Sequence, residues 1–388
     1  MSIAAQQLAL YIHWPFCVSK CPYCDFNSHV RASVDQEVWR AALLADMAHE
    51  AEVLRAAGQG GRPLSSIFFG GGTPSLMPPE TVAALIAAAE QLWGFAPDIE
   101  ITLEANPSSV EAARFADLAA AGVNRVSMGL QALDDEALCF LGRAHDVAEG
   151  LAALEVAQRC FARVNFDLIY ARPGQSAAAW DSELRRALGF GTDHLSLYQL
   201  TIEPGTRFET LVKQGALTPI DPDFGAELFE LTRAITAAAG LPAYEISNHA
   251  RPGQESRHNL TYWRYGDYVG IGPGAHGRRL SHATQRQKKP ENWLNAMTRS
   301  RHGLAEETLL SPETRATEAL LMGLRLSEGV SLADIAARTG VVQSMLVDDA
   351  AVARLEWHGL MRATADRLIV TDAGMVLLDA ILAEVVLV

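Results

Sequence analysis

The chain has 388 residues, 49% of them hydrophobic, and a net charge of −14 at neutral pH. That length predicts two or three domains with a sizeable core, and the acidic balance argues against broad nucleic-acid binding while leaving a transient membrane-surface contact open. No apolar run reaches the about 18 residues of a membrane helix, the start Met-Ser-Ile-Ala-Ala-Gln-Gln carries no signal-peptide pattern, and five cysteines, an odd count, predict free thiols in a reducing cytoplasm.

From residue 8 to about 202, short apolar runs alternate with helical ones. The predicted strands are Leu8–Trp14, Ser66–Phe69, Ile99–Leu103, Arg125–Leu130, Val164–Tyr170 and His194–Ile202, several of them rich in β-branched or aromatic residues. Between them Val34–Ala57, Pro79–Trp93, Val110–Ala121, Ala148–Phe161 and Ala177–Leu188 carry apolar residues at helical spacing. Gly58, Gly94, Gly122 and Gly189 stand where helix ends are expected. Such alternation predicts a parallel sheet with right-handed crossovers, and six units can make an open, partial barrel. Beyond residue 204 the alternation weakens. Asp223–Ala239 reads as a further helix, and Ala243–His249 and Tyr268–Ile271 as extended segments separated by the polar stretch Arg251–Arg264. Pro312–Leu324, Leu332–Thr339 and Met345–His358 read as helices and Arg367–Val370 as a strand, a winged-helix-like set. Its Met345–His358 helix has few basic residues, which favours a packing or lid role over DNA binding.

In a barrel of this kind, functional groups gather at the carboxyl ends of the strands. Cys17, Cys21 and Cys24 follow the first strand at CxxxCxxC spacing. Three local thiolates can hold three irons of a four-iron cluster and leave the fourth for another ligand. The plainer alternatives are a zinc site completed by His13 or His29, or a redox pair. Gly70-Gly71-Gly72-Thr73-Pro74 follows the second strand, roughly 45 residues on, with room for one helix between. Its lack of side chains allows a ligand to approach exposed backbone N–H and C=O groups. Glu104 and Asn106 follow the third strand and Gln131 closes the fourth. Asp167 lies near the end of the fifth, inside an apolar run where a carboxylate needs a partner such as Arg143 or a ligand amine. Thr201 and Glu203 close the sixth. Cys139 and Cys160 read as buried small hydrophobes.

The runs Tyr11-Ile-His-Trp-Pro-Phe-Cys17, Phe68-Phe-Gly-Gly-Gly-Thr-Pro-Ser75, Ser127-Met-Gly-Leu-Gln131 and Asp167-Leu-Ile-Tyr170 resemble those of the radical S-adenosylmethionine (SAM) group. That group contains oxygen-independent coproporphyrinogen III oxidase and the haem chaperones related to it. The resemblance spans nearly the whole chain. It implies a partial (β/α)6 TIM-like barrel over 1–240, an extension over 241–308 and a winged-helix-like module over 309–388. It makes Cys17, Cys21 and Cys24 ligands of a [4Fe–4S] cluster, and Tyr11, Tyr23, Gly71, Gly72, Thr73, Glu104, Gln131, Arg143 and Asp167 contacts of S-adenosylmethionine. The oxidase branch predicts a fourth cysteine two residues past the third, where this chain has Phe26. His258-Asn259-Leu260-Thr261-Tyr262-Trp263 fits the chaperones' HNxxYW signature, and His258, Asn259, Tyr262 and Trp263 are thereby expected to hold haem, through an iron-ligating imidazole and flanking aromatic rings. The implied function is a haem chaperone that passes haem to an acceptor haem protein, for example a respiratory one. The oxidase of porphyrin biosynthesis and a metal-stabilised binding module are the alternatives. Relatives commonly read Gly-Leu where this chain has Ala171-Arg172, which puts local backbone geometry and polarity in question.

Overall fold

The structure, a computed structural model, describes residues 8–388; the start on which the expectation of no leader rests, residues 1–7, lies outside the described residues. An 11-stranded sheet organises the chain. In chain order its strands are β1 (Leu8–Trp14), β2 (Leu64–Gly71), β3 (Phe95–Ala105), β4 (Arg125–Gln131), β5 (Arg163–Tyr170), β6 (His194–Gln199), β7 (Asn248–Ala250), β8 (Tyr268–Ile271), β9 (His276–Arg279), β10 (His282–Arg286) and β11 (Leu304–Leu309). The spatial order is β11-β10-β9-β8-β1-β2-β3-β4-β5-β6-β7. β8 joins the parallel array beside β1, and β9 to β11 continue antiparallel. The predicted partial barrel is therefore present and is lengthened by one parallel strand from the extension.

Strand alternation separates two environments. Leu10, Ile12, Ile67, Phe69, Leu103, Val126, Met128, Phe166, Leu168, Leu195 and Leu197 face the helices and share one hydrophobic core with Leu43, Met47, Leu85, Leu154 and Leu184. Residues of opposite parity, including His13, Thr102, Glu104, Arg125, Ser127, Asn165, Asp167, His194 and Ser196, face the lumen, which is correspondingly polar. Side-chain caps start the helices where the sequence offers them: Asp35 for Gln36–Ala56, Asp146 for Val147–Cys160 and Ser176 for Ala177–Leu188.

Several boundaries differ from expectation for identifiable reasons. The helix predicted over Val110–Ala121 splits into Ser109–Ala112 and Phe115–Ala120. At the break, Arg114 donates to the carbonyls of Ser75 and Met77, each at 3.3 Å, and tertiary bonds override local propensity. Gly189 is right-handed, and Gly191 takes the positive φ of 75°. The polar stretch 251–264 contains a helix, Arg257–Trp263, capped by Ser256. In the C-terminal module the Met345–His358 run divides into a 3-10 turn, Gln343–Met345, and a helix, Asp349–Trp357, restarted by the Asp348 cap. That module has its own core, joined by Tyr265 and flanked by Phe229 and Ile246 of the preceding segments. No helix among the described residues is long and apolar enough to cross a membrane.

Candidate functional site

After β1 the chain makes a short parallel pairing, Phe16–Cys17 with His29–Val30, which closes the cysteine loop on itself. Asn27 pins the loop to the far segment, donating from Nδ2 to the carbonyls of Pro273 and Lys288, both at 2.9 Å. Cys17, Cys21 and Cys24 are free and partly exposed. Each sulfur meets a polar neighbour on a different wall. Thr73 Oγ1 donates to Cys17 Sγ at 3.5 Å, Arg143 Nη1 donates to Cys21 Sγ at 3.5 Å, and Ser28 Oγ lies 3.9 Å from Cys24 Sγ. Burial pushes the Cys17 and Cys24 thiols up, against the hydrogen bonds they receive. Phe26 is 59% exposed.

A single zinc ion needs its ligands drawn round one point, with sulfurs about 2.3 Å from the metal. Among the described residues no three His, Cys, Asp or Glu side chains converge in that way. Both expected fourth zinc ligands are also engaged: His13 bonds Tyr11 Oη through Nδ1 at 2.9 Å and the carbonyl of Asn27 through Nε2 at 3.0 Å, and His29 Nε2 bonds Asn27 Oδ1 at 3.3 Å. A four-iron cube separates its ligands more widely than one ion does, and Cys21 and Cys24 are near enough to Cys17 to act on it electrostatically.

The triple glycine allows the expected close approach, but its N–H groups are not exposed as predicted. A Cβ on Gly72 would lie 2.6 Å from the carbonyl oxygen of Phe16, and one on Gly71 would lie 2.6 Å from the His13 ring. The glycines let β1 and β2 close on each other. Their N–H groups are consumed: Gly72 donates to Trp14 O at 2.7 Å, Thr73 to Phe16 O at 2.8 Å and Gly71 to Glu104 Oε2 at 3.2 Å.

Glu104 and Asp167 face the same volume of the lumen. Burial, with the nearby Asp167 second, pushes the Glu104 carboxyl up to about 8. Burial pushes Asp167 up to about 6, opposed by Ser196, Asn165 and Ser127. Asp167 accepts from Asn165 Nδ2 at 2.9 Å and Ser127 Oγ at 3.3 Å. Arg143, expected as its partner, instead donates to Asn106 Oδ1 at 2.5 Å and the carbonyl of Gly129 at 3.0 Å. Tyr23 lies beside Cys21 and Arg143. Two polar atoms here are buried without a partner, Gln131 Oε1 and Arg143 Nε, and Gln131 itself holds a φ of 69°. Unpaired buried polar atoms and backbone strain of this kind mark ligand sites. The donor set fits a cationic, hydroxyl-bearing ligand. Ser127, Asn165, Ser196 and Tyr198 complete this wall beside the expected Asn106 without having been singled out from the sequence as site residues, whereas Thr201 and Glu203 bond each other at 2.7 Å beyond the end of β6.

The Glu104 shift gives a pH prediction. Between its ordinary value near 4.5 and about 8, the folded chain keeps a proton that the unfolded chain has released, so stability falls as pH rises through that window. Glu104→Gln should therefore stabilise the unliganded protein by on the order of 2 kcal/mol at pH 8.5 and by little at pH 5. Denaturant unfolding at the two pH values measures this, and an equal gain at both contradicts it.

The HNxxYW segment lies at the opposite, amino-terminal mouth of the barrel. Glu100, near the start of the lumen-facing part of β3 and 1% exposed, accepts from Arg163 Nη1 at 2.6 Å, Ser256 Oγ at 3.3 Å and the N–H groups of Arg257 and His258 at 3.2 and 3.1 Å. Arg163 also donates to the carbonyls of Gln254 and Glu255. His258 is buried against Phe68, with ring centroids 4.9 Å apart. Its Nδ1 bonds Ser66 Oγ at 3.0 Å and its Nε2 bonds Tyr262 Oη at 2.8 Å. Burial pushes the imidazole down to about 3, leaving the neutral form that ligates metals. Asn259 Nδ2 lies 3.5 Å from Tyr244 Oη. Trp263 packs with Leu260, Tyr244 and Leu326. Tyr11 joins the two mouths: its ring lies 6.3 Å from that of His258 and its hydroxyl bonds His13.

The two departures after β5 have clear settings. Ala171 holds a φ of 57°, a conformation glycine adopts without steric cost. Arg172 is buried and donates to Glu183 at 2.6 Å and to the carbonyl of Ile169 at 2.9 Å, so its charge is paired inside the protein. Cys139, expected to be buried, is exposed, and Cys160 is intermediate.

This is an open parallel β/α barrel with a three-thiol rim at one mouth and a histidine-bearing helix closing the other. The sequence profile of the radical SAM superfamily matches residues 11–187, and that of the HemN C-terminal domain matches residues 310–377. Over 97% of both chains the sequence is 37% identical to the heme chaperone HemW of Escherichia coli. Over 84% of this chain and 75% of the other it is 43% identical to radical S-adenosyl methionine domain-containing protein 1, mitochondrial, of Bos taurus. In fold it is similar to the coproporphyrinogen III oxidase HemN of Escherichia coli, with a TM-score of 0.80, 23% identity, and 98% of this chain and 90% of that one covered. The chain belongs to the radical SAM superfamily, in its HemW branch.

Proposed function

We propose that this chain is a haem chaperone that binds haem and delivers it to an acceptor haem protein, a respiratory one being the expected kind. The observation that carries the reading is the HNxxYW helix, with its neutral imidazole, in a chain similar end to end to proteins named heme chaperone HemW. His258 would ligate the iron once the Tyr262 hydroxyl leaves Nε2, with Asn259, Tyr262 and Trp263 lining the site. Its workplace is a reducing compartment such as the cytoplasm, where the thiols stay free. Residues 1–240, 241–308 and 309–388 are proposed as the working units.

The family likeness and the orphaned atoms at the rim support a [4Fe–4S] cluster on Cys17, Cys21 and Cys24 and S-adenosylmethionine along Tyr11, Tyr23, Gly71, Gly72, Thr73, Glu104, Gln131, Arg143 and Asp167. When bound, the cluster supplies one-electron reduction. The chain's own groups do the placing. Thr73 and Arg143 donate to two of the sulfurs, Glu104 and Asp167 offer negative charge to a cation, and Gln131 Oε1 and Arg143 Nε offer unused hydrogen-bond capacity.

Haem titration of the wild type and of His258→Ala tests the proposal. The variant is expected to bind haem at least about tenfold more weakly, with a displaced Soret band; unchanged affinity and spectrum remove His258 from the site. Anaerobic incubation of the reconstituted protein with coproporphyrinogen III is expected to give no vinyl product, and product at a catalytic rate would overturn the chaperone reading in favour of the oxidase.

A further inference from the structure

Between the β8–β10 edge and the C-terminal module lies a cavity of about 230 Å3 whose lining includes Arg62, Arg278, Arg315, Arg338, Tyr265 and Ser281. Four guanidinium groups converge there in a chain whose net charge is −14. Carboxylates offset two of them at most. Asp267 pairs with Arg62 at 2.7 Å, and Glu318 stands 3.9 Å from Arg278. Arg315 donates to Ser281 Oγ at 3.2 Å and the carbonyl of Thr339 at 2.9 Å. Arg338 donates to the carbonyls of Arg264, at 3.0 Å, and Tyr265. Among the described residues neither has a carboxylate within ion-pair distance. A carbonyl satisfies a donor but leaves the charge in place.

The charge is also enclosed. Arg278 is only 7% exposed, and its guanidinium carbon lies 3.5 Å from the centre of the Tyr265 ring. The Nε atoms of Arg278 and Arg315 are both buried with no partner. Burial pushes Arg338 down from its ordinary value, with Asp267 opposing the shift and Arg278 adding to it, so the nearby carboxylate does not offset the cost of enclosing this cation. The turn that supplies Ser281 holds two non-glycine residues at positive φ, Leu280 at 52° and Ser281 at 62°.

We propose that this cavity is an oxyanion site, taking a carboxylate or phosphate group of a small ligand. Guanidinium forks match the planar or tetrahedral oxygens of such groups, and the volume suits one or two of them but not a large ring system. The site adjoins the HNxxYW helix without depending on a haem role for it: Tyr265 N–H donates to Tyr262 O at 2.9 Å and Gly266 N–H to Thr261 O at 2.7 Å. An anion there braces the end of that helix.

Calorimetric titration of the full chain at low ionic strength, with inorganic pyrophosphate and separately with succinate, tests the site. Saturable binding of either is expected, weakened about tenfold or more in Arg278→Gln and in Arg315→Gln. Arg315 lies nearer the surface, and its variant should keep a wild-type thermal midpoint, which separates lost binding from lost folding. Binding of pyrophosphate alone assigns a phosphate ligand and binding of succinate alone a carboxylate. Absence of saturable binding for both, or binding unchanged in both variants, overturns the proposal.

Discussion

A Cys21→Ala variant, reconstituted with iron and sulfide under anaerobic conditions, is expected to lose cluster iron and visible absorbance while keeping its fold and its haem affinity. As one of the three proposed thiolate ligands, Cys21 would on its loss leave two irons of a cluster without protein ligands. Nothing in the core depends on the side chain, which is partly exposed. The loop is held by other bonds: Asn27 to Pro273 and Lys288, and His29 N–H to Pro15 O at 2.7 Å. Retention of haem binding follows from geometry, because the HNxxYW helix occupies the other mouth of the barrel, anchored on Glu100. Iron analysis and absorbance spectra give the first result and haem titration the second. Wild-type iron content in the variant would remove Cys21 from the ligand set.

Much of the barrel was legible because each core-facing run is long, apolar and punctuated. Leu8–Trp14, Pro79–Trp93 and Ala177–Leu188 appear with their expected ends. The helix Arg257–Trp263 did not show as one because its buried contacts are polar: His258 reaches Ser66 and Asn259 reaches Tyr244, so no apolar stripe announces it. The lumen network of Ser127, Asn165 and Ser196 was hidden similarly. Asn165 Nδ2 bonds Ser127 Oγ at 2.6 Å and Ser196 Oγ at 2.9 Å, and these contacts join residues that are 38 and 31 positions apart. The triple glycine was visible as a place of close approach, but not what approaches: the neighbouring strand takes the N–H groups first. The arginine cavity assembles residues from 62 to 338, a convergence with no local signature. The departure at Ala171 was visible, and its left-handed backbone explains why glycine suits the position.

Glu100→Ala is expected to cost about 3–5 kcal/mol of folding stability, the range for removing one partner of a buried ion pair. The carboxylate is 1% exposed and accepts from Arg163, Ser256, Arg257 and His258; its loss leaves the partly buried Arg163 guanidinium without its ion pair and two backbone N–H groups short of an acceptor. Burial pushes the Glu100 carboxyl up, but Arg125, Arg163 and the N–H groups of His258 and Arg257 together hold it below its ordinary value. A depressed carboxylate contributes stability that is present above the unfolded value near 4.5 and fades as pH falls through the lower folded one, so the cost should be full at pH 7 and shrink in strong acid. Guanidinium unfolding across pH measures this, and hydrogen exchange should show the amides of Arg257 and His258 opening faster than those of β1. The functional consequence mirrors that of Cys21→Ala. Freeing the 254–263 segment displaces His258 from Phe68 and Ser66, so haem affinity should fall while the rim still takes up iron at wild-type stoichiometry. Two variants with opposite losses would establish that the two mouths of one barrel work as separable sites; loss of iron uptake in Glu100→Ala at a temperature where the chain remains folded would instead tie them together, through the Tyr11–His13–Asn27 line of contacts.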